Sequence, residues 1–224
     1  MPAPSTVSRT AADASQNGSL AVPEGRATIA VVNHLLTLPR FVLRVATKDW
    51  HPPDHISFAS NHAGKQPFVD FATVTNPLNP DEPSYETRLW PDHCVQHSPG
   101  AGLVPDLDPA KYLDTVIEKG TNKDVEMYSA FYDPFTNPRV SDSGLAALLK
   151  ERAVTHVYVV GLAADYCVRC TALDSLKEGF VTYMVEEGTR AVDAGGWPTQ
   201  RTELAAAGVQ MVHLDGPEVA RLSQ

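Results

Sequence analysis

The stretch from His156 to Lys177 constrains the fold of this chain more than any other. An apolar run rich in β-branched residues ends at Gly161, and apolar residues at helical spacing follow from Cys167. Such a run before a helix is typical of a buried strand in a parallel sheet. At the turn between the two, backbone N–H groups and the helix dipole favour a thiolate and offer donors to an oxyanion. We expect Cys167 to be a nucleophile, with a buried structural thiol as the alternative.

Further apolar runs alternate with helical patterns along the chain. Strands are predicted over 41–47, 115–118, 156–160, 180–185 and 209–213, and helices over 27–38, 141–152, 167–177 and 199–207. This alternation predicts an α/β class, doubly wound as a three-layer α/β/α fold with a mostly parallel sheet. Residues 52–92 are long, Pro-rich and irregular, so we expect a surface excursion of the functional kind.

The first 17 residues differ from the rest of the chain. They are mainly Ala, Ser, Thr and Pro, and Val7 is their single large aliphatic residue. Such a segment buries too little apolar surface to fold alone, so residues 1–17 are expected to be a disordered or atypical N-terminal segment. Residues 18–224 are expected to form a single domain.

Composition and charge limit the classes of partner and the cellular compartment that we expect. The 224-residue chain carries a net charge of −9 and no Lys/Arg run, which argues against nucleic acid and anionic membranes as partners. No apolar stretch approaches the roughly 18 residues of a membrane span. Three cysteines make no disulfide framework, so a reducing compartment, the cytoplasm, is expected, with nucleus and peroxisome left open. A homo-oligomer is also left open.

Candidate metal ligands follow the strand at 41–47. Asp49 and His51 are two residues apart in an extended segment and project to the same side. A carboxylate and an imidazole at a strand end suit a divalent metal such as Zn²⁺. His93 is the best third ligand that the sequence offers. The alternative is that these are solvated loop histidines.

Lys119 lies at the end of another predicted strand, in Glu118-Lys-Gly120. It could donate to a developing oxyanion or pair with a carboxylate, or it could be an ordinary solvated lysine. Cys167 and Cys170 match C-x-x-C, but the pattern that surrounds a thioredoxin-like redox site is absent.

Five blocks occur in order along the chain: Asp49-Trp-His-Pro52, His55-Ile-Ser-Phe58, Leu89-Trp-Pro-Asp-His-Cys-Val95, Tyr128-Ser-Ala-Phe131 and Gly161-Leu-Ala-Ala-Asp-Tyr-Cys-Val168. Together they resemble the nicotinamidases among the isochorismatase-like cysteine hydrolases. The resemblance runs from Gly18 to about Val212, and the long variable loop resembles the fungal-type branch. The Trp-Pro-x-His-Cys block favours nicotinamidase over isochorismatase or carbamoylsarcosine-type relatives.

The resemblance implies a function and a set of roles. Nicotinamide, the expected small-molecule partner, would be hydrolysed to nicotinate and ammonia through a Cys167 thioester, in NAD salvage. Lys119 would be the active-site lysine, and the N–H groups of Ala163 and Cys167 would form the oxyanion hole, helped by a cis peptide bond between Leu162 and Ala163. Asp49, His51 and His93 would hold the cofactor, a divalent metal expected to be Zn²⁺. The substrate pocket would be lined by Trp90, Tyr128 and Leu162.

One block of the family is missing. Members open with an apolar strand that ends in Asp-x-Gln-x-Asp-Phe, and its first Asp is the general base. In this chain Gly18-Ser-Leu-Ala-Val-Pro23 is intact, but an ungapped alignment puts Ser8 at the base position, Ala12 at the second acidic position and Asp13 at the pocket aromatic. We therefore expect the first strand to be absent and turnover to be very poor.

Three accounts fit this N-terminus. The first is loss of the first coding segment, the second is a pseudoenzyme, and the third is an N-terminus that pairs into the sheet in an unforeseen way. The intact downstream blocks favour the first. The rival functions are an isochorismatase-like amidase for another small amide and a non-catalytic protein that binds metal and nicotinamide.

Overall fold

The computed structural model describes residues 4–9, 18–107 and 112–224. The strands are β1 (Pro4–Arg9), β2 (Leu43–Asp49), β3 (Phe71–Val74), β4 (Tyr85–Arg88), β5 (Thr115–Lys119), β6 (His156–Leu162), β7 (Val181–Arg190) and β8 (Gln210–Val212). The α-helices are α1 (Thr28–Thr37), α2 (Leu145–Glu151), α3 (Arg169–Lys177), α4 (Trp197–Ala207) and α5 (Pro217–Ala220).

Six strands form one sheet in the order β5-β2-β1-β6-β7-β8, and every neighbouring pair is parallel. From β1 the chain moves outward to β2 and β5, then returns to β6 on the other side of β1 and moves outward again. The order therefore reverses at β1. In such sheets ligands bind outside the carboxyl ends of the strands at this reversal.

Each face of the sheet is covered by helices, as the alternating pattern predicts. On one face, Val157 and Val159 of β6 pack with Leu149 of α2 and Leu204 of α4. On the other, the intervening Tyr158 and Val160 share a core with α1 and with the C-terminal segment. Each fully buried aliphatic side chain contributes roughly 1.5–3 kcal/mol. The three-layer α/β/α architecture is confirmed.

The expectation of a missing first strand is wrong. Pro4–Arg9 forms β1 in the centre of the sheet, with Ser8 opposite Ala46 of β2 and Val160 of β6. An empty slot between β2 and β6 would leave two rows of buried N–H and C=O groups without partners, and any backbone can fill it. The apolar content of Pro4–Arg9 therefore did not determine whether this segment forms a strand. Residues 1–3 and 10–17 lie outside the described residues, so disorder there stays a prediction.

The excursion over 52–92 is more ordered than the sequence indicates. It contains the antiparallel hairpin β3–β4, and its buried residues include His55, Phe58, Leu89 and Trp90. Trp90 lines the site described below, and the rings of His55 and Phe58 pack against His51. No helix among the described residues is long and apolar enough to cross a membrane.

Candidate active site

Cys167 lies in a tight turn that follows the carboxyl end of β6. Ala163 adopts the left-handed conformation (φ 59°, ψ 58°), and a π-helical turn over Ala164–Val168 leads into α3. The Ala163 carbonyl accepts hydrogen bonds from the N–H groups of Tyr166 (3.0 Å) and Val168 (3.2 Å). The predicted strand-to-helix position of Cys167 is confirmed.

The expected cis peptide bond between Leu162 and Ala163 is wrong. Among the described residues the cis bond is Asn137–Pro138. The chain turns at this point through the left-handed φ of Ala163 instead. A non-glycine residue with positive φ is uncommon, and such residues gather at active sites.

Lys119 is buried beside the cysteine and is not a solvated strand-end lysine. Only 2% of it is exposed. Its ammonium donates to the Cys167 sulfur at 3.5 Å and to the Met127 carbonyl at 2.9 Å. It also pairs with Asp49 Oδ1 at 2.7 Å. Sheet topology explains why Asp49 and Lys119 form this ion pair, since they end adjacent strands and stand opposite each other in register.

The three predicted metal ligands also come together. One donor atom from each of Asp49, His51 and His93 lies within 4.8 Å of the others, and all three residues are buried. Nε2 of each histidine lies 3.8 Å from Asp49 Oδ2. The alternative of solvated loop histidines is therefore wrong for His51 and His93.

The histidine rings are oriented as metal ligands require. Nδ1 of His51 bonds the Gly120 carbonyl at 2.9 Å, and Nδ1 of His93 bonds the Pro91 carbonyl at 2.8 Å. Each carbonyl accepts, so Nδ1 carries the proton and the Nε2 lone pair faces the cluster. Burial, reinforced by His55, holds the pKa of His51 well below its usual value, which keeps the ring neutral. This donor set fits a divalent cation.

Gly120 makes room for His51. A Cβ at this position would lie 2.4 Å from Cε1 of the His51 ring, and the backbone has φ +66°. A larger residue would displace the ring and meet a strained conformation. Gly120, which follows Lys119 at the end of the neighbouring strand, thus leaves the space that the His51 ring occupies in the metal cluster.

A cavity of about 300 Å³, including its mouth, joins the cysteine to the metal cluster. The residues that line it are Leu20, Asp49, His51, Trp90, His93, Glu126, Tyr128, Ala163, Tyr166, Cys167 and Val192. The structure thus places Trp90 and Tyr128 where the resemblance implies. Leu162 is not in this lining: it packs against Val22 and Val192 behind the wall, because its neighbour Ala163 turns the chain toward the cavity.

Four lining residues were not predicted from the sequence: the aliphatic Leu20 and Val192, and the polar Glu126 and Tyr166. Glu126 is 3% exposed, and its charge adds to burial in raising the pKa of Tyr128 well above its usual value. The sequence feature that could have indicated Glu126 is its position two residues before Tyr128. Tyr166 directly precedes the cysteine, and its ring lies edge-on to Trp90 with centroids 4.7 Å apart.

A parallel sheet with a cysteine, a lysine and an Asp-His-His cluster at its reversal defines a cysteine hydrolase with a metal-assisted site. The isochorismatase domain matches residues 16–215, and the chain belongs to that family.

Three similar proteins show where the chain stands within the family. The nicotinamidase of Acinetobacter baylyi is 41% identical over 201 residues, which cover 87% of this chain and 85% of that protein. The yeast nicotinamidase bound to the inhibitor nicotinaldehyde superimposes with a TM-score of 0.87 at 31% identity, covering 94% of this chain and 99% of that one. The pyrazinamidase of Pyrococcus horikoshii in complex with zinc has a TM-score of 0.71 at 32% identity, covering 95% and 99%.

Proposed function

We propose that this chain is a nicotinamidase-type amidohydrolase that converts nicotinamide to nicotinate and ammonia in NAD salvage. One observation carries the proposal: the Cys167 sulfur, 3.5 Å from the Lys119 ammonium, lines the same cavity as the Asp49, His51 and His93 cluster. The lining of this cavity suits a small aromatic amide, since one wall is aromatic and the other holds the nucleophile and the metal ligands.

The chemistry begins at Cys167. Its thiolate, stabilised by the adjacent Lys119 ammonium, attacks the carboxamide carbon, and the carbonyl electrons move to oxygen. The turn at Ala163 supports an oxyanion hole formed by the N–H groups of Ala163 and Cys167. Collapse of the tetrahedral intermediate expels the amine, which leaves as ammonia after taking up a proton. Water then hydrolyses the thioester to nicotinate and restores the thiol.

Asp49, His51 and His93 would hold the divalent cation, which we propose is Zn²⁺. When bound, it supplies a Lewis-acid position for the pyridine nitrogen and for a water. Two imidazoles and a single carboxylate are a donor set that Zn²⁺ prefers. Zinc in the pyrazinamidase from P. horikoshii supports this choice.

Proton transfer is the step that we expect to limit the reaction rate of this chain. The thiol proton must leave before attack, and the leaving amine must gain one. Ser8 stands where the resemblance places the general base, and a hydroxyl is no base near neutral pH. Loss of a positioned base lowers rates by about 10²–10⁴. We therefore expect this chain to hydrolyse nicotinamide very slowly.

Trapping the intermediate tests the proposal. The zinc-loaded protein is mixed with nicotinamide, quenched with acid and analysed by mass spectrometry, and nicotinate is followed by chromatography. We expect a nicotinoyl adduct on the Cys167 peptide that is absent from Cys167→Ala. A panel of small amides, run in parallel, separates nicotinamide from another amide substrate. A better substrate in that panel would contradict the assignment.

Ser8 also favours a second candidate, a non-catalytic protein that binds metal and nicotinamide. Calorimetry on the zinc-loaded protein distinguishes the two. Nicotinamide binding without any adduct or nicotinate after prolonged incubation would support the non-catalytic function, whereas slow nicotinate formation that requires Cys167 would exclude it.

A further inference from the structure

Asp165 lies in the same π-helical turn as Cys167 but is not part of the cavity lining. It is buried, and its two carboxylate oxygens accept hydrogen bonds from the consecutive backbone N–H groups of Val192 and Asp193, each at 2.8 Å. Bonds from N–H groups to a carboxylate are stronger than those between neutral groups. The turn that carries the nucleophile is therefore fixed to the segment that follows β7.

This segment, residues 191–196, connects β7 to α4 and is exposed at Asp193, Ala194 and Gly195. Asp193 organises it internally, since its carboxylate accepts the Gly195 N–H at 2.9 Å and its carbonyl accepts the Trp197 N–H at 3.1 Å. Neither of these two bonds reaches the sheet or the turn beside the cavity. The bonds to Asp165 do, so we infer that they fix where this segment lies.

Val192 is the residue through which this segment reaches the cavity. It lines the cavity directly, and its side chain also packs with Val22 and Leu162. Val192 and Leu20 are the two large aliphatic residues of the lining among the described residues. Apolar contacts hold a flat ring in such a cavity, so an outward shift of Val192 would lose contacts and admit a wider ring.

We propose that Asp165 is a positioning residue that holds Val192 in the cavity lining and thereby sets the width of the aromatic amide that the site accepts. This inference rests on the proposed function for the identity of the amide. Asp165 acts through the Val192 backbone and is not a catalytic residue. Its loss therefore changes ligand affinity and selectivity.

Calorimetry with nicotinamide and with a panel of ring-methylated nicotinamides tests the proposal. All proteins are zinc-loaded and carry Cys167→Ala, so that turnover does not interfere. Asp165→Asn keeps one acceptor and turns an amide NH₂ toward the second N–H group. We expect it to weaken nicotinamide binding about tenfold and to reduce the preference for the unsubstituted ring.

Val192→Ala identifies the route of the effect. It removes two methyl groups from the wall and leaves both backbone bonds to Asp165, so it should fold and should also weaken binding about tenfold. If Asp165 acts through Val192, adding Asp165→Asn to Val192→Ala costs little further affinity. Fully additive losses would mean that Asp165 acts through the Cys167 turn instead and would overturn the proposal. Unchanged affinity and selectivity in Val192→Ala would overturn it as well.

Asp133→Asn is the matched control. Asp133 is also buried, and its carboxylate accepts the backbone N–H groups of Phe135 and Val140, each at 2.8 Å, but it is not in the cavity lining. Urea unfolding should show that both Asp→Asn variants are destabilised, whereas only Asp165→Asn should alter binding. Equal losses of affinity in the two variants, or unchanged binding in Asp165→Asn, would overturn the proposal.

Failure of the proposed function gives a different result, in which the parent protein binds no nicotinamide. The same comparison is then made with the small amide that the parent binds most tightly. An effect of Asp165→Asn that depends on Val192 would still support the positioning role, and its absence would overturn it.

Discussion

Asp49 connects the two halves of the site through its two carboxylate oxygens. Oδ1 lies 2.7 Å from Lys119 Nζ, and Oδ2 lies 3.8 Å from Nε2 of both His51 and His93. Both members of the Asp49–Lys119 pair are almost fully buried. The lysine beside the nucleophile and the metal cluster therefore share one negative charge.

This shared charge predicts strong coupling between the two residues. Removing one partner of a buried ion pair leaves an uncompensated charge and costs about 3–5 kcal/mol. We expect Asp49→Asn and Lys119→Met each to destabilise the metal-free protein by about that amount, and the double variant to lose much less than the sum. Urea unfolding of the four proteins measures the coupling, and additive losses would contradict it.

The metal cluster predicts a metal content that depends on two histidines. The donor atoms of Asp49, His51 and His93 lie within 4.8 Å of one another, so loss of either imidazole leaves two ligands. We expect His51→Ala and His93→Ala to carry far less divalent metal than the parent by elemental analysis. His213→Ala, at an exposed histidine outside the cluster, is the control. Unchanged metal in both cluster variants would refute the assignment.

The three cysteines should differ sharply in reactivity. Cys167 lines the cavity beside Lys119. Burial raises the pKa of Cys170 to about 12, so its thiol stays protonated at neutral pH, and Cys94 is fully buried. Limiting iodoacetamide followed by peptide mapping should label Cys167 first. Preferential labelling of Cys94 or Cys170 would argue against Cys167 as the nucleophile.

Ser5 in the central strand should be a source of instability. It is fully buried, and its hydroxyl has no hydrogen-bond partner among the residues that the structure describes. Such a group costs about 1–3 kcal/mol, so Ser5→Ala should raise the free energy of unfolding by about 1 kcal/mol. Ser175, also fully buried, accepts a bond from Thr182 at 2.7 Å, so Ser175→Ala should destabilise. Urea unfolding measures both changes, and a change in the free energy of unfolding of the same sign for Ser5→Ala and Ser175→Ala would contradict this prediction.

The sequence predicted what repeated patterns and motifs encode. Hydrophobic periodicity indicated the strands that lead to Asp49 and Lys119 and the strand that precedes the Cys167 turn, and parallel topology then brings their carboxyl ends together. It did not find β1, because a central strand is held by backbone hydrogen bonds from both neighbours and Pro4–Arg9 lacks the usual apolar run. It also did not reveal why Gly120 follows Lys119, because the approach of this glycine to the His51 ring joins segments that are distant in the chain.

We infer that this chain holds a nicotinamidase site without its general base. Because β1 is in place, the single substitution Ser8→Asp tests this claim, and a graft of a strand ending in Asp-x-Gln-x-Asp-Phe over residues 1–17 serves as a second version. Ammonia release from nicotinamide is measured for the zinc-loaded parent, for Ser8→Asp and for Ser8→Asp combined with Cys167→Ala. We expect slow release from the parent, an increase of about 10²-fold or more in Ser8→Asp, and none without Cys167. If the parent already matches Ser8→Asp, or if the Ser8→Asp variant and the graft both fold but release no ammonia, this inference is wrong.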